Sequence, residues 1–298
     1  MSGFASGFLA GLGVLSAAAV LAAPNVAPPD LAPNPSVGWI AARPQFLPPP
    51  SGPGPIGFDV SHPRANNDDL RARGAQPTFP VGDLTNPILQ PWAREQMRQY
   101  NADVLAGKSV YSRQASCWPI GVPGFVLYPV QPVYFVQTSR EVLMTWQADH
   151  QTRHVYMNVP HSAAPKISDY GESVGHYEGD TLVVDTIGIA TRTFIDSFRT
   201  PHTEKLHVVE RFRMIDGGKT LEVSVHVEDP GAFTMPWNAR QRYKRSEPGV
   251  AEATETFNAV SSTSEAGPML ESNCAENPNA LFGAADAFPV PSAEKPDF

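Results

Sequence analysis

From Val133 onward apolar and polar residues alternate with period two, the mark of half-buried strands. The alternation predicts strands at Val133–Gln137, Val142–Gln147, Arg153–Asn158, Ser173–Glu178, Thr181–Ile187, Lys205–Ile215 and Thr220–Val227. A last pair is expected through Gln241–Arg245 and Ala253–Val260. Gly179-Asp180 and Asp216-Gly217-Gly218 are tight hairpin connectors. About nine strands on mostly short connections predict a mostly β fold, a single antiparallel domain that is barrel-like or a sandwich.

Upstream the pattern changes. Pro91–Gly107 reads as one helix, with proline at its start and glycine at its end. Trp92, Met97, Tyr100 and Val104 would form its buried stripe. Residues 116–132 hold too many prolines for anything but a loop. Pro24–Pro63 concentrates 12 of the chain's 31 prolines, and proline removes a ladder donor. That stretch is expected outside any sheet, as an extended arm that can drape on the domain. The expected organisation is a signal peptide at 1–23, a Pro-rich linker or arm at 24–83 and a β-rich domain at 84–298.

Composition adds a compartment and removes one class of partner. The first 29 residues carry no charge, and Phe8–Ala22 is an apolar run of signal-peptide length ending in small residues. Cleavage near Pro24 would leave a periplasmic or secreted protein with no stable membrane span. The rival reading is an uncleaved anchor, for which the run is short. The two cysteines, Cys117 and Cys274, would form a disulfide in an oxidising compartment, or stand as separate buried thiols. The net charge of −8 argues against a nucleic-acid partner, because a phosphate backbone demands a basic face. The small basic group at Arg240, Arg242, Lys244 and Arg245 suits a solvated strand face.

Strand faces then locate the candidate chemistry. In Leu206–Met214 the apolar face places Glu210 among hydrophobes, where a carboxylate must be paired, protonated or wet. A structural ion pair is one reading and an acid–base group the other. His176 and Glu178 share a face with Val174, and Val183, Asp185 and Ile187 share one on the returning strand. An imidazole beside a carboxylate can do acid–base work or form a plain surface hydrogen bond. Asp229-Pro230-Gly231 is a turn signal, so Asp229 is expected to cap it. Gly171-Glu172-Ser173-Val174-Gly175 matches G-x-S-x-G, but strand alternation follows where a nucleophile elbow needs a helix. His150 and His154 would converge on a metal only on a helix, and their segment reads as strands around a turn.

The run Gly175-His176-Tyr177-Glu178-Gly179-Asp180-Thr181-Leu182-Val183-Val184-Asp185-Thr186 resembles a group of exported, functionally uncharacterised proteobacterial proteins with a G-x-W-E-G-D-T-L-V-V-x-T core. Cys117 with its Pro-Gly-rich loop, Arg153 with Val155-Tyr156, and His202 with Leu206 fit the same group. So do Val209-Glu210-Arg211-Phe212, Glu228-Asp229-Pro230, Pro236-Trp237 and Cys274-Ala275-Glu276-Asn277. Tyr177 replaces the group's usual Trp, and Asn158–Ser162 lacks its Asp-Gly-Arg. The resemblance implies export and a β fold.

The leading functional expectation is an exported barrel with a small-molecule pocket. It extends to a cofactor-independent acid–base enzyme (lyase, isomerase or hydrolase) on a fairly apolar substrate. Its catalytic candidates are His176, Glu178 and Glu210; its substrate-binding candidates are Arg153, Asp185, Arg211 and Tyr177; no metal and no organic cofactor is expected. The alternatives are a non-catalytic ligand-binding protein and an envelope structural or interaction protein that uses the Pro-rich arm as its contact surface. Oligomeric state is left open.

Overall fold

A computed structural model describes residues 27–33, 38–41, 45–62, 80–108, 113, 117–127, 132–147 and 151–246. The alternating segments become strands β2 Val133–Gln137, β3 Glu141–Trp146, β4 Thr152–Met157, β5 Glu172–Glu178, β6 Thr181–Ile187, β7 His207–Ile215, β8 Thr220–Glu228 and β9 Trp237–Ser246. A further strand, β1 Gly38–Ala41, lies between β9 and β2 and closes the sheet into a nine-stranded barrel. The expected strand at Ala253–Val260 falls outside the described residues, as do the apolar run at 8–22 and Cys274.

β1 corrects the expectation that the Pro-rich stretch stays out of the sheet. It occupies the proline-free interval between Pro35 and Pro44, where nothing removes a ladder donor. Its register runs Gly38↔Ser246, Trp39↔Arg245, Ile40↔Lys244 and Ala41↔Tyr243. Trp39 is fully buried, and Leu31, Phe46 and Ile56 from the same stretch join the core. A Cβ on Gly38 would sit 2.5 Å from Pro132 Cβ, so the strand approaches β2 only because residue 38 is glycine.

Neighbouring strands are antiparallel except β4 and β5, which run parallel. The chain between Met157 and Glu172 is long enough for the crossover that parallel pairing needs. The β5–β6 hairpin turns on Gly179, whose φ of 60° suits the two-residue connection. Most inward positions of β7 and β8 are apolar: Val208 and Phe212 on β7, and Leu221, Val223, Val225 and Val227 on β8.

The two barrel ends are sealed differently. At the end where β5 and β6 turn, the backbone of Pro29 and Leu31 is bonded to the Gln137 side chain. At the other end sit the loops 188–206 and 229–236 and helix α1, Pro91–Leu105. Pro at N1 starts the helix, and its buried side chains are Ala93, Met97, Asn101 and Val104. Trp92 and Tyr100, expected in that stripe, are exposed and half-buried. Asn101 takes the inner position because its amide clamps both backbone groups of Gly82, at 3.1 and 2.8 Å. Trp92 donates Nε1 to the Gly231 carbonyl from the helix edge. Residues 124–127 form a short 3₁₀ turn inside the stretch expected as loop. Among the described residues no helix is long and apolar enough to cross a membrane.

Candidate functional site

The barrel wall separates the seven candidate residues. Arg153, Tyr177 and Glu210 point inward, while His176, Glu178, Asp185 and Arg211 point outward. The catalytic candidates are therefore not brought together: Glu210 is inside the barrel, and His176 and Glu178 are outside it.

Inside, Glu210 and Arg153 are both fully buried. The guanidinium grips the carboxylate with two parallel bonds, Nη1 to Oε1 at 3.1 Å and Nη2 to Oε2 at 2.5 Å. Its remaining donors reach Ser173 Oγ at 3.2 Å and Thr186 Oγ1 at 2.8 Å. Ser173, the centre of the G-x-S-x-G match, is thus a buried strand residue that holds an arginine. The Phe125 ring lies 5.8 Å from the guanidinium and stacks on Trp146 at 4.6 Å. Nearby, burial and the Glu210 charge push the Tyr243 hydroxyl well above its usual range, so it stays neutral and donates to the Val126 carbonyl. Both oxygens of this fully buried carboxylate are engaged by the guanidinium. The arrangement is an ion pair that pins β4 to β7 through β5 and β6.

Outside, His176 Nε2 lies 3.0 Å from Glu178 Oε1, and Arg211 Nη2 bonds the other oxygen. These hydrogen bonds, from His176 first and Arg211 second, hold the Glu178 carboxyl below its ordinary range. Both His176 and Glu178 side chains are about half exposed, at 52% and 48%. That places them on the solvated outer wall, as a surface hydrogen bond. His154 is likewise outside, against Glu141, and His150 falls outside the described residues.

Asp185 belongs to a larger outer strip that sequence reading missed. Ser162 donates to both oxygens of Glu172, whose Oε1 meets His161 Nδ1 at 3.0 Å. His161 Nε2 meets Asp185 Oδ1 at 3.0 Å, and the same oxygen meets His207 Nε2 at 2.9 Å. His207 Nδ1 stands 3.8 Å from Glu228, whose other oxygen meets His226 Nε2 at 2.9 Å. His226 ends the strip on Asn238 at 2.8 Å. The hydrogen bond from His207 is the main cause of a lowered Asp185 carboxyl, and Asp185 in turn raises His207. His161 and His226 are bonded at both nitrogens, and His207 at Nε2. The strip's members come from different strands, so only register could have revealed them.

The third cluster closes the hairpin end. Gln137, the last residue of β2, accepts from Leu31 N at 2.7 Å and donates to Pro29 O at 2.9 Å and to Tyr177 Oη at 2.8 Å. Trp39 Nε1 donates to Leu31 O at 2.8 Å. Leu31 and Trp39 are fully buried, while Gln137 and Tyr177 are half-buried. Tyr177 is thus the one substrate-binding candidate that faces an end of the barrel. At the far end Asp229 has the capping role expected of it, accepting from the backbone N–H groups of Gly231, Ala232 and Thr203. His202 is buried there between Thr193 Oγ1 and the Thr203 carbonyl, and burial lowers its basicity.

No protein-family model, no curated protein and no solved structure matches this chain.

Proposed function

We propose that the protein is an exported barrel that binds a small, fairly apolar ligand at its hairpin-end mouth and does not convert it. The observation that carries this reading is the way that mouth is closed. A backbone segment outside the described strands seats Leu31 there, hydrogen-bonded to Trp39 and to Gln137, which also holds Tyr177. An apolar seat with a few convergent polar groups is the general form of a ligand site. Arg153 and Glu210 then serve as scaffold, and the outer residues His176, Glu178 and Arg211 as solvated surface. The separation of His176 from Glu210 weighs against the acid–base enzyme. The burial of Leu31, Phe46 and Ile56 weighs against an arm whose role is to contact other envelope components.

Export rests on the apolar N-terminal run and on the exported group that the chain resembles. A Cys117–Cys274 bond accords with both, and no described cysteine is a free thiol. Native mass spectrometry of the exported protein tests the whole reading through mass alone. Expected are a chain beginning near Pro24, a mass two hydrogens below that of the reduced form, and a bound organic ligand recovered unchanged. An intact Met1 end in the membrane fraction would replace export with anchoring. A ligand that is turned over on incubation would restore the enzyme, and ligand-free spectra that stay so through a library of apolar small molecules would remove the binding function.

A further inference from the structure

We propose that the same mouth is a peptide-recognition site for a Pro-x-Leu segment, and that Pro29-Asp30-Leu31 fills it in cis. The inference rests on the mouth being a ligand site and goes further by naming the chemical class it reads. Within Pro29-Asp30-Leu31 the carbonyl of the first residue and the N–H of the third meet one side chain. Gln137 meets that pair of groups: its Nε2 donates to Pro29 O and its Oε1 accepts from Leu31 N. One side-chain amide thus reads two backbone groups of the segment.

The orientation of the amide is fixed. Its Nε2 also donates to Tyr177 Oη, and a flipped amide would lose both backbone bonds, because Pro29 O can only accept and Leu31 N–H can only donate. Trp39 Nε1 takes the Leu31 carbonyl, and three backbone groups of one tripeptide are then held by side chains. Selectivity follows from burial. Leu31 is wholly enclosed and sets a requirement for a large aliphatic residue. Asp30 is exposed, and its carboxylate is spent on the Ala32 N–H at 3.2 Å, so the middle position is unread. Pro29 is buried and contributes its carbonyl, so its missing N–H costs nothing. The segment lies more than a hundred residues from Gln137 in sequence and belongs to no strand, so it can leave without breaking the ladder.

The test uses the full chain and a fluorescein-labelled peptide of residues 27–33. A tethered segment competes at an effective concentration of about a millimolar. Wild-type protein is therefore expected to bind the peptide at least about tenfold more weakly than Leu31→Asp, which evicts the plug. Adding Gln137→Met to Leu31→Asp should abolish the gain, and a peptide with Asp in place of the leucine should not bind. Equal binding to wild type and Leu31→Asp, or binding indifferent to Gln137→Met, overturns the proposal. Should Leu31→Asp not fold, hydrogen exchange in the native chain decides: protection of the Leu31 amide, lost in Gln137→Met, is expected, and an unprotected amide refutes the clamp. A ligand adduct in native spectra without peptide binding would leave the small-ligand reading and remove this one. Peptide binding without any adduct would do the reverse.

Discussion

Glu210 puts a full charge where its neighbours on the inner face of β7 are Val208 and Phe212. Removing an ion from water costs several kcal/mol, and attraction repays it only with good geometry and every donor satisfied. The two-bond grip of Arg153, with Ser173 and Thr186 on its other hydrogens, meets that condition. Removing one partner strands the other. Glu210→Gln is expected to destabilise the fold by about 3–5 kcal/mol in urea unfolding, while Glu210→Gln with Arg153→Met recovers most of the loss. Ligand binding by the folded fraction of Glu210→Gln should be unchanged. An unaltered unfolding midpoint with lost turnover would make Glu210 the acid–base group that the structure argues it is not. Period-two alternation alone placed Glu210 inside. Its partner was illegible, because Arg153 lies 57 residues away and meets it only across the barrel interior.

At the scale of strands, β5 to β9 each supply a member of the outer acid–imidazole strip. His207 on β7 is raised by Asp185 on β6, chiefly through their hydrogen bond. A raised imidazole stabilises the fold fully below its unfolded value of about 6.5, and the effect is lost as pH rises through the higher folded value. For the lowered Asp185 the stabilisation is present above about 3.9 and lost as pH falls through its depressed value. The pair is therefore strongest between those two folded values. Unfolding midpoints of wild type and His207→Asn should differ at about pH 5.5 and converge toward about pH 9. A difference of the same size at both pH values would show that the imidazole charge contributes nothing. Sequence alternation told which residues of one strand share a face, but only register made Asp185, His207, His226 and Glu228 neighbours.

At the scale of the whole molecule, the arm completes the fold. Without β1 the edges of β2 and β9 would be unpaired, and unpaired edges recruit other chains. The same stretch supplies Trp39 to the interior and Leu31 to the mouth. A chain beginning at residue 45 is expected to self-associate or fail to fold, read by light scattering on size-exclusion chromatography. A monomer of that truncation with wild-type stability would reduce the arm to decoration.

The strands and their buried faces were legible because side-chain direction in a strand is a local, two-residue property. Val133–Gln137 and Thr181–Ile187 could be read to the residue, and the Gly179 turn could be read from its need for a positive φ. Proline density misled at β1, since an average over 40 residues hides a four-residue interval that can pair. Barrel closure, the parallel β4–β5 pairing, the Arg153–Glu210 contact and the Gln137 clamp on Leu31 were decided by tertiary structure alone. Each joins groups that are remote along the chain, and alternation fixes which face a residue takes without fixing what stands opposite it.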